Sequence, residues 1–113
     1  MHVQKQDGSV VVEHCALAVR PFARMKGLLG RSELEPGEGI LLRPAGSIHM
    51  FFMRFAIDAI FCDGDLVVID VAHDLRPWRM AARRGAKQVI EVAAGAAAGV
   101  RAGDRLSLAT IGE

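Results

Sequence analysis

The sequence lacks the features that mark several large classes of protein. Its longest uncharged, apolar-rich run near the end covers residues 92–100, far below the roughly 20 residues that span a bilayer. The formal net charge is only +1, so no long-range field of either sign attracts nucleic acid or an acidic membrane. No apolar core of a signal peptide is visible at the start. We therefore expect a soluble protein with no membrane span and no nucleic-acid partner. Cytoplasm is the expected compartment, or periplasm if an export signal has been removed.

Cysteine is scarce and is not arranged for chemistry. Cys15 and Cys62 are the two cysteines, and neither belongs to a CxxC pair or to a disulfide-rich framework. Apolar neighbours surround both, which predicts buried free thiols rather than a bridge or a nucleophile. We expect no cofactor and no metal. The alternative is a copper(I) site with soft donors from His49, Met50, Met53, Met80 and Cys62.

Also missing is the alternation of strand and helix patterns that marks a parallel α/β sheet. The 113 residues, 51% hydrophobic and 24% charged, suit a single domain comprising residues 1–113. About seven short Val- and Ile-rich strands and one helix, near residues 21–30, are predicted. This pattern favours a mainly β fold, a compact antiparallel β-sandwich or barrel.

The strongest local signal is a β-hairpin. Residues 47–62 and 65–73 read as strands, and Asp63-Gly64 suits a two-residue type I′ turn. That turn would pair Ile60 with Val67. The first strand exceeds the usual length, which predicts a bend or bulge within it.

Polar side chains on one face of this hairpin form the first candidate site. Side chains alternate along a strand, so Arg54, Asp58 and His73 share a face, while Phe51, Met53, Phe55, Ile57 and Phe61 form the core face. A cation, a carboxylate and an imidazole together suit a small polar ligand or acid/base chemistry. The competing interpretation is a solvated face with an ion pair.

Two basic clusters lie elsewhere. Arg20, Arg24 and Arg31 project to one side of the predicted helix and suggest an anion site, against a plain solvated face. A second group surrounds Trp78 and comprises Arg76, Arg79, Arg83 and Arg84. This second cluster could touch nucleic acid or membrane headgroups, but we expect an exposed loop with Trp78 packed against the core.

Several separate motifs, in order, resemble the family called domain of unknown function 192. They run from about residue 20 to 106 and are Arg24, Gly27-Leu28-Leu29-Gly30-Arg31, Gly39-Ile40-Leu41-Leu42, Ile48-His49, Phe52-Met53-Arg54-Phe55, Ile57-Asp58, Phe61, Val89-Ile90-Glu91, Gly95 and Gly103-Asp104. The resemblance implies a jelly-roll-like β-sandwich with one short helix, found in bacteria and archaea and without an assigned activity.

The leading functional hypothesis is a non-enzymatic module that binds a small ligand or anion. Its shallow polar site would be lined by Arg24, Arg31, His49, Arg54 and Asp58, and no catalytic residue is assigned. One alternative is a hydrolase or lyase with Asp58 or His49 as general base and Arg54 holding negative charge. Another is an interaction domain that docks through a sheet edge or the Trp78 loop. A monomer or weak homodimer is expected.

Overall fold

A computed structural model describes residues 1–18 and 33–109 of the chain. The described residues form β-strands, turns and loops, and no helix in them is long and apolar enough to cross a membrane. In chain order the strands are β1 (His2–Lys5), β2 (Val10–Val12), β3 (His14–Ala18), β4 (Glu38–Leu42), β5 (Ser47–His49), β6 (Ile57–Cys62), β7 (Val68–Leu75), β8 (Met80–Ala82), β9 (Gln88–Ala93) and β10 (Leu106–Ala109). The mainly β prediction is confirmed. The helix predicted near residues 21–30 lies outside the described residues, and the regular elements of residues 1–18 and 33–109 are all strands.

Three sheets contain these strands. The largest has five strands in the order β3-β4-β9-β6-β7, the second has the order β10-β1-β2, and β5 pairs with β8 alone. None of these sheets closes into a barrel, so that alternative is wrong for the described residues. The sheets are also not wholly antiparallel, because β3 runs parallel to β4. Two strands were missed by the sequence prediction, β1 and β8, which are only four and three residues long.

The core occupies both faces of the five-stranded sheet. Strands β6 and β9 are buried at every residue, as expected for central strands covered on both sides. On one face, Ile60 and Ile90 share a cluster with Val3 and Val12 of the three-stranded sheet. On the other, Phe61 and its neighbours contact residues from β5 and the loop after it. Burial of each such side chain contributes about 1.5–3 kcal/mol.

The predicted hairpin exists as β6 and β7, but its turn and register were wrong. Five residues, 63–67, separate the strands, because the Asp63 carboxylate accepts the backbone N–H groups of Asp65 and Val67 at 2.8 and 3.0 Å. An Asp side chain that mimics a backbone turn in this way competes with a two-residue turn. Ile60 consequently pairs with Val71 rather than with Val67. The offset is four residues over residues 59–61, an even number, so the predicted faces are preserved there. The register shifts between Ile57 and Ala59 and between Phe61 and Cys62, so the predicted pairing does not extend beyond these irregularities.

The long strand predicted over residues 47–62 is broken rather than bent. The chain leaves β5 after His49 and enters β6 at Ile57, and β5 pairs with β8 instead of continuing the five-stranded sheet. Side-chain alternation is therefore lost between the two strands. As a result, Phe51 does not belong to the core as predicted, whereas Met53 is buried and Phe55 partly so.

Candidate functional site: an exposed aromatic and arginine surface

The five predicted site residues do not assemble into one site among the described residues. Arg24 and Arg31 lie outside the described residues. His49, at the end of β5, and Arg54, in the loop that joins β5 to β6, are exposed, whereas Asp58 is only 1% exposed. A ligand in solution can reach His49 and Arg54, but it cannot reach the Asp58 carboxylate.

Asp58 has a structural role that its hydrogen bonds define. Its Oδ1 accepts the backbone N–H of Asp74 at 2.9 Å. Its Oδ2 accepts the N–H groups of Gly95 and Ala97 at 3.0 and 3.1 Å. Because Asp74 and Gly95 both have positive φ, 51° and 90°, the carboxylate holds two tight backbone segments whose donors would otherwise be unpaired.

His73 is the one predicted neighbour that Asp58 meets. Its Nδ1 lies 3.6 Å from the Asp58 Oδ2, so the prediction that these two side chains share a face agrees with the structure. Beyond His73, Arg76 lies 3.3 Å from the Asp74 carboxylate, and both groups are largely exposed. These groups are an exposed ion pair between Arg76 and Asp74, next to the buried Asp58 carboxylate that holds the backbone.

The most unusual surface of the molecule is apolar. Phe52 is 68% exposed, Trp78 59% and Met80 68%, and Phe51 is 37% exposed beside them. The rings contact one another in series: His49 to Phe51 at 4.7 Å, Phe51 to Trp78 at 5.9 Å and Phe52 to Trp78 at 4.9 Å between centroids. We call His49, Phe51, Phe52, Trp78 and Met80 the aromatic surface. The contact between Phe52 and Trp78 joins two loops, because these residues are 26 positions apart in the chain.

Backbone hydrogen bonds hold the two loops together. The strand pair ends with His49 opposite Met80, and Met50 extends it. The Met50 N–H donates to the Arg79 carbonyl at 2.8 Å, and the Trp78 N–H donates to the Met50 carbonyl at 2.8 Å. Met50 itself is fully buried, so it anchors the aromatic surface to the core beneath.

Two aromatic residues of this surface have strained backbones. Phe52 has φ of 66° and Trp78 has φ of 69°, the left-handed region that bulky residues rarely adopt. Each such residue costs on the order of 1–3 kcal/mol, and such conformations cluster at functional sites. In both cases the strained residue is one whose ring faces solvent.

Arginines border the aromatic surface. Arg54 follows Phe52 closely, and Arg76 and Arg79 flank Trp78; all three are exposed. Within the described part of the chain, neither Arg54 nor Arg79 makes an ion pair. The two loops, residues 50–56 and 76–79, contain no acidic residue, and Asp74, which precedes the second loop at the end of β7, is paired with Arg76. The two loops are therefore apolar and positively charged, although the whole chain is nearly neutral.

The cysteines take no part in any site. Both are buried free thiols, as predicted. Burial raises the pKa of the Cys15 thiol, and it raises the pKa of Cys62 to about 12, so neither is a thiolate at neutral pH. Cys62 lies in a different core cluster from Met50 and Met53, which separates the donors of the alternative copper(I) site. The described residues contain no cluster of three or more His, Cys, Asp or Glu able to hold a metal.

Two further acidic residues of the family signature lie in different environments: Asp104 at a surface turn and Glu91 in the core. The Asp104 carboxylate accepts the Arg101 N–H at 2.8 Å and lies 3.3 Å from the Lys5 Nζ, and these hydrogen bonds hold its pKa below the usual range. It closes a surface turn. Glu91 is completely buried on the central strand β9, between Ile40 and Ala59 on the neighbouring strands.

Comparison with known proteins identifies the family. The family model described as "Uncharacterized ACR", domain of unknown function 192 (DUF192), matches residues 2–108. The chain belongs to the DUF192 family. The resemblance predicted from the motifs is thereby confirmed, and the match also includes β1, β2 and β3, which preceded the recognised motifs.

Curated relatives of this DUF192 domain are proteins without an assigned activity. A UPF0127 protein of Thermococcus sibiricus is 35% identical over 100 residues, which are 84% of this chain and 64% of the relative. A UPF0127 protein of Pyrococcus furiosus is 43% identical over 63 residues, 53% of each chain. The chain thus spans less than two thirds of the length of these relatives.

Two solved structures resemble the fold of this DUF192 domain. A protein of unknown function from Novosphingobium aromaticivorans has a TM-score of 0.80 and 26% identity, with 96% of this chain and 84% of that chain covered. A putative transcription regulator from Sinorhizobium meliloti has a TM-score of 0.77 and 24% identity, with 94% and 89% covered. The second likeness shows the shared fold alone.

Proposed function

We propose that this chain is a single-domain, non-enzymatic binding module, built as a jelly-roll-like β-sandwich, whose aromatic surface docks onto an acidic partner. The observation that carries the proposal is the exposure of Phe52, Trp78 and Met80. The rings of Phe52 and Trp78 are in contact, and the exposed Arg54 and Arg79 are close to them in the chain. Contiguous exposed apolar patches rimmed by polar groups are typical of interaction sites. Aromatic residues and arginine are also the residue types that dominate binding energy at interfaces.

The energetics of the free domain support this proposal. Exposed aromatic rings contribute little burial, and the positive φ values of Phe52 and Trp78 act against stability. A docked partner would cover these rings, and each ring fully removed from water contributes about 1.5–3 kcal/mol. The local structure therefore favours the bound state over the free one.

The predicted polar site is revised by this proposal. His49 is kept in the proposed site as a member of the aromatic surface, and Arg54 is kept because it is exposed two residues after Phe52. Asp58 is removed from the site, because its carboxylate is buried and accepts three backbone N–H groups. The general-base alternative loses support for Asp58 for the same reason, because a substrate cannot approach a carboxylate enclosed by the protein backbone. The burial of Asp58 does not affect the same alternative with His49 as the base. The docking alternative through the Trp78 loop gains support from the exposure of Trp78.

Trp78 is the single tryptophan of the chain, so its fluorescence reports directly on this surface. The protein would be titrated with a Glu- and Phe-containing peptide, with heparin and with anionic vesicles. We expect at least one of these probes to shift the Trp78 emission to shorter wavelength. We expect Phe52→Ala to weaken that binding by about 2 kcal/mol, or roughly thirtyfold.

The matched control is Val10→Ala. Val10 is 51% exposed but belongs to β2 of the three-stranded sheet, so its truncation removes exposed apolar area from a different surface. Binding should be unchanged in this variant. If no probe alters the Trp78 emission, or if both variants weaken binding equally, the proposal is wrong.

A further inference from the structure

Which kind of acidic partner fits the aromatic surface can be judged from its shape. Side chains that line a groove or pocket are shielded by the opposite wall, as sites for small ligands show by burying most of the ligand surface. Phe52, Trp78 and Met80 are instead 68%, 59% and 68% exposed. Such exposure at Phe52, Trp78 and Met80 means that these side chains project into solvent and do not line a closed groove.

Apolar side chains that project into solvent suit a partner that deforms around them. A folded protein needs a matching cavity to cover such a surface with the close complementarity of stable interfaces. The interfacial region of a bilayer needs none, because lipids rearrange around an inserted side chain. Tryptophan is enriched at this depth of the membrane, where its ring meets both headgroups and acyl chains.

The charges beside the rings complement anionic headgroups. Arg54 and Arg79 are exposed and make no ion pair with a described residue, and each lies within two residues of an exposed aromatic ring in the sequence. A guanidinium group binds phosphate oxygens bidentately. The long arginine stem also allows the charge to remain at headgroup level while the neighbouring ring lies deeper.

From this combination we propose that the aromatic surface binds peripherally to anionic phospholipid bilayers, with Phe52, Trp78 and Met80 inserted and Arg54 and Arg79 on the lipid phosphates. This inference rests on the proposed function and specifies its partner. With a net charge of only +1 for the whole chain, attraction acts at short range, so binding is reversible and falls as salt is raised.

The test is co-sedimentation of the full chain with vesicles, together with Trp78 emission. Vesicles of phosphatidylcholine mixed with phosphatidylglycerol should sediment the protein and shift Trp78 emission to shorter wavelength. Pure phosphatidylcholine vesicles should do so much less. Lipids brominated in their acyl chains should quench Trp78, because its ring would lie at the boundary of the acyl region.

Two pairs of variants separate insertion from general charge attraction. Arg79→Gln should lower partitioning about fivefold, the effect of one basic residue near an anionic surface. Arg101→Gln removes an equal charge from an exposed residue beyond β9 and should have little effect. Phe52→Ala should reduce both partitioning and quenching, whereas Val10→Ala should not. If Phe52→Ala fails to fold, as judged by circular dichroism, Met80→Gln tests the same insertion.

Any of the following results would overturn the proposal that the aromatic surface binds membranes. Absence of sedimentation with anionic vesicles does so directly. Equal losses from Arg79→Gln and Arg101→Gln would mean unspecific attraction, and sedimentation without bromine quenching would place the contact elsewhere. Binding of the acidic peptide or of a single-stranded oligonucleotide to this surface, without vesicle binding, would overturn the membrane inference while preserving the proposed docking function.

Discussion

Asp58 and Phe52 are only six positions apart, yet each lies where its chemistry alone would not place it. Asp58 is a carboxylate in the interior, and Phe52 is a large apolar ring in solvent. The difference lies in their partners. Asp58 accepts three backbone N–H groups, so its burial is satisfied and structural. The Phe52 ring contacts one other exposed ring at 4.9 Å between centroids and is otherwise open to solvent. Phe52 is therefore a better candidate than Asp58 for contact with a binding partner.

The largest expected effect is on stability, from Asp58→Ala. Three backbone N–H donors, that of Ala97 buried and those of Asp74 and Gly95 partly buried, would lose their acceptor, and each unsatisfied buried group costs about 1–3 kcal/mol. We expect the free energy of unfolding to fall by about 3–5 kcal/mol, measured by denaturant titration. The aromatic surface should keep its binding in whatever fraction remains folded. A loss below about 1 kcal/mol would mean that Asp58 is not the anchor that the structure indicates.

The second prediction concerns alkaline pH and Cys62. Burial raises the pKa of this thiol from 9.0 to about 12, so the unfolded state ionises first. Stability from this group is fully present below pH 9 and is lost as pH rises toward about 12. Thermal melts between pH 8 and pH 11 should therefore show a shallower decline in Cys62→Ala than in the original chain. Identical slopes in both proteins would contradict the assignment.

The third prediction separates stability from binding at Phe52. Phe52→Gly removes the solvent-exposed ring. It also introduces glycine, the residue that adopts a φ of 66° most easily, at this position. Relief of strain should offset the lost contact with Trp78, so the free energy of unfolding should change by less than about 1 kcal/mol. Binding to anionic vesicles should fall by an order of magnitude in the same protein. A large loss of stability would reveal a structural role instead.

The smallest effect is expected at the exposed pair of Asp70 and Arg83, 2.6 Å apart. The hydrogen bond from Arg83 lowers the pKa of Asp70, so its contribution is present above the unfolded value of 3.8 and is lost as pH falls below it. Asp70→Asn should reduce the free energy of unfolding at neutral pH by less than about 1 kcal/mol. Urea titrations at neutral pH and near pH 3 should converge for the two proteins at the lower pH. If Asp70→Asn lowered the free energy of unfolding as much as Asp58→Ala does, buried and exposed carboxylates would not differ in their contribution to stability as we expect.

The sequence predicted the features that depend on residues close together in the chain better than those that depend on particular side-chain contacts. The hairpin of β6 and β7 was predicted because its strands are adjacent in the chain. Its turn was not, since the Asp63 side chain forms local hydrogen bonds that a residue pattern does not specify. Phe51 was assigned to the core by simple alternation, which fails once the strand is broken. The adjacent large rings Phe51 and Phe52 were the available warning, because neighbours in a strand cannot both face one core.

Composition and pattern by themselves determined that the chain is mainly β, that its cysteines are buried free thiols, and that it belongs with the DUF192 family. Those properties follow from local strand propensity, apolar neighbours and motif order. Only the tertiary structure decided which polar residue is an anchor and which apolar residues are exposed. Asp58 accepts hydrogen bonds from Gly95 and Ala97, which are 37 and 39 residues away in the chain. The Phe52 ring contacts Trp78, which belongs to a different loop. Contacts of that length depend on how the sheets pack, and no local pattern encodes them.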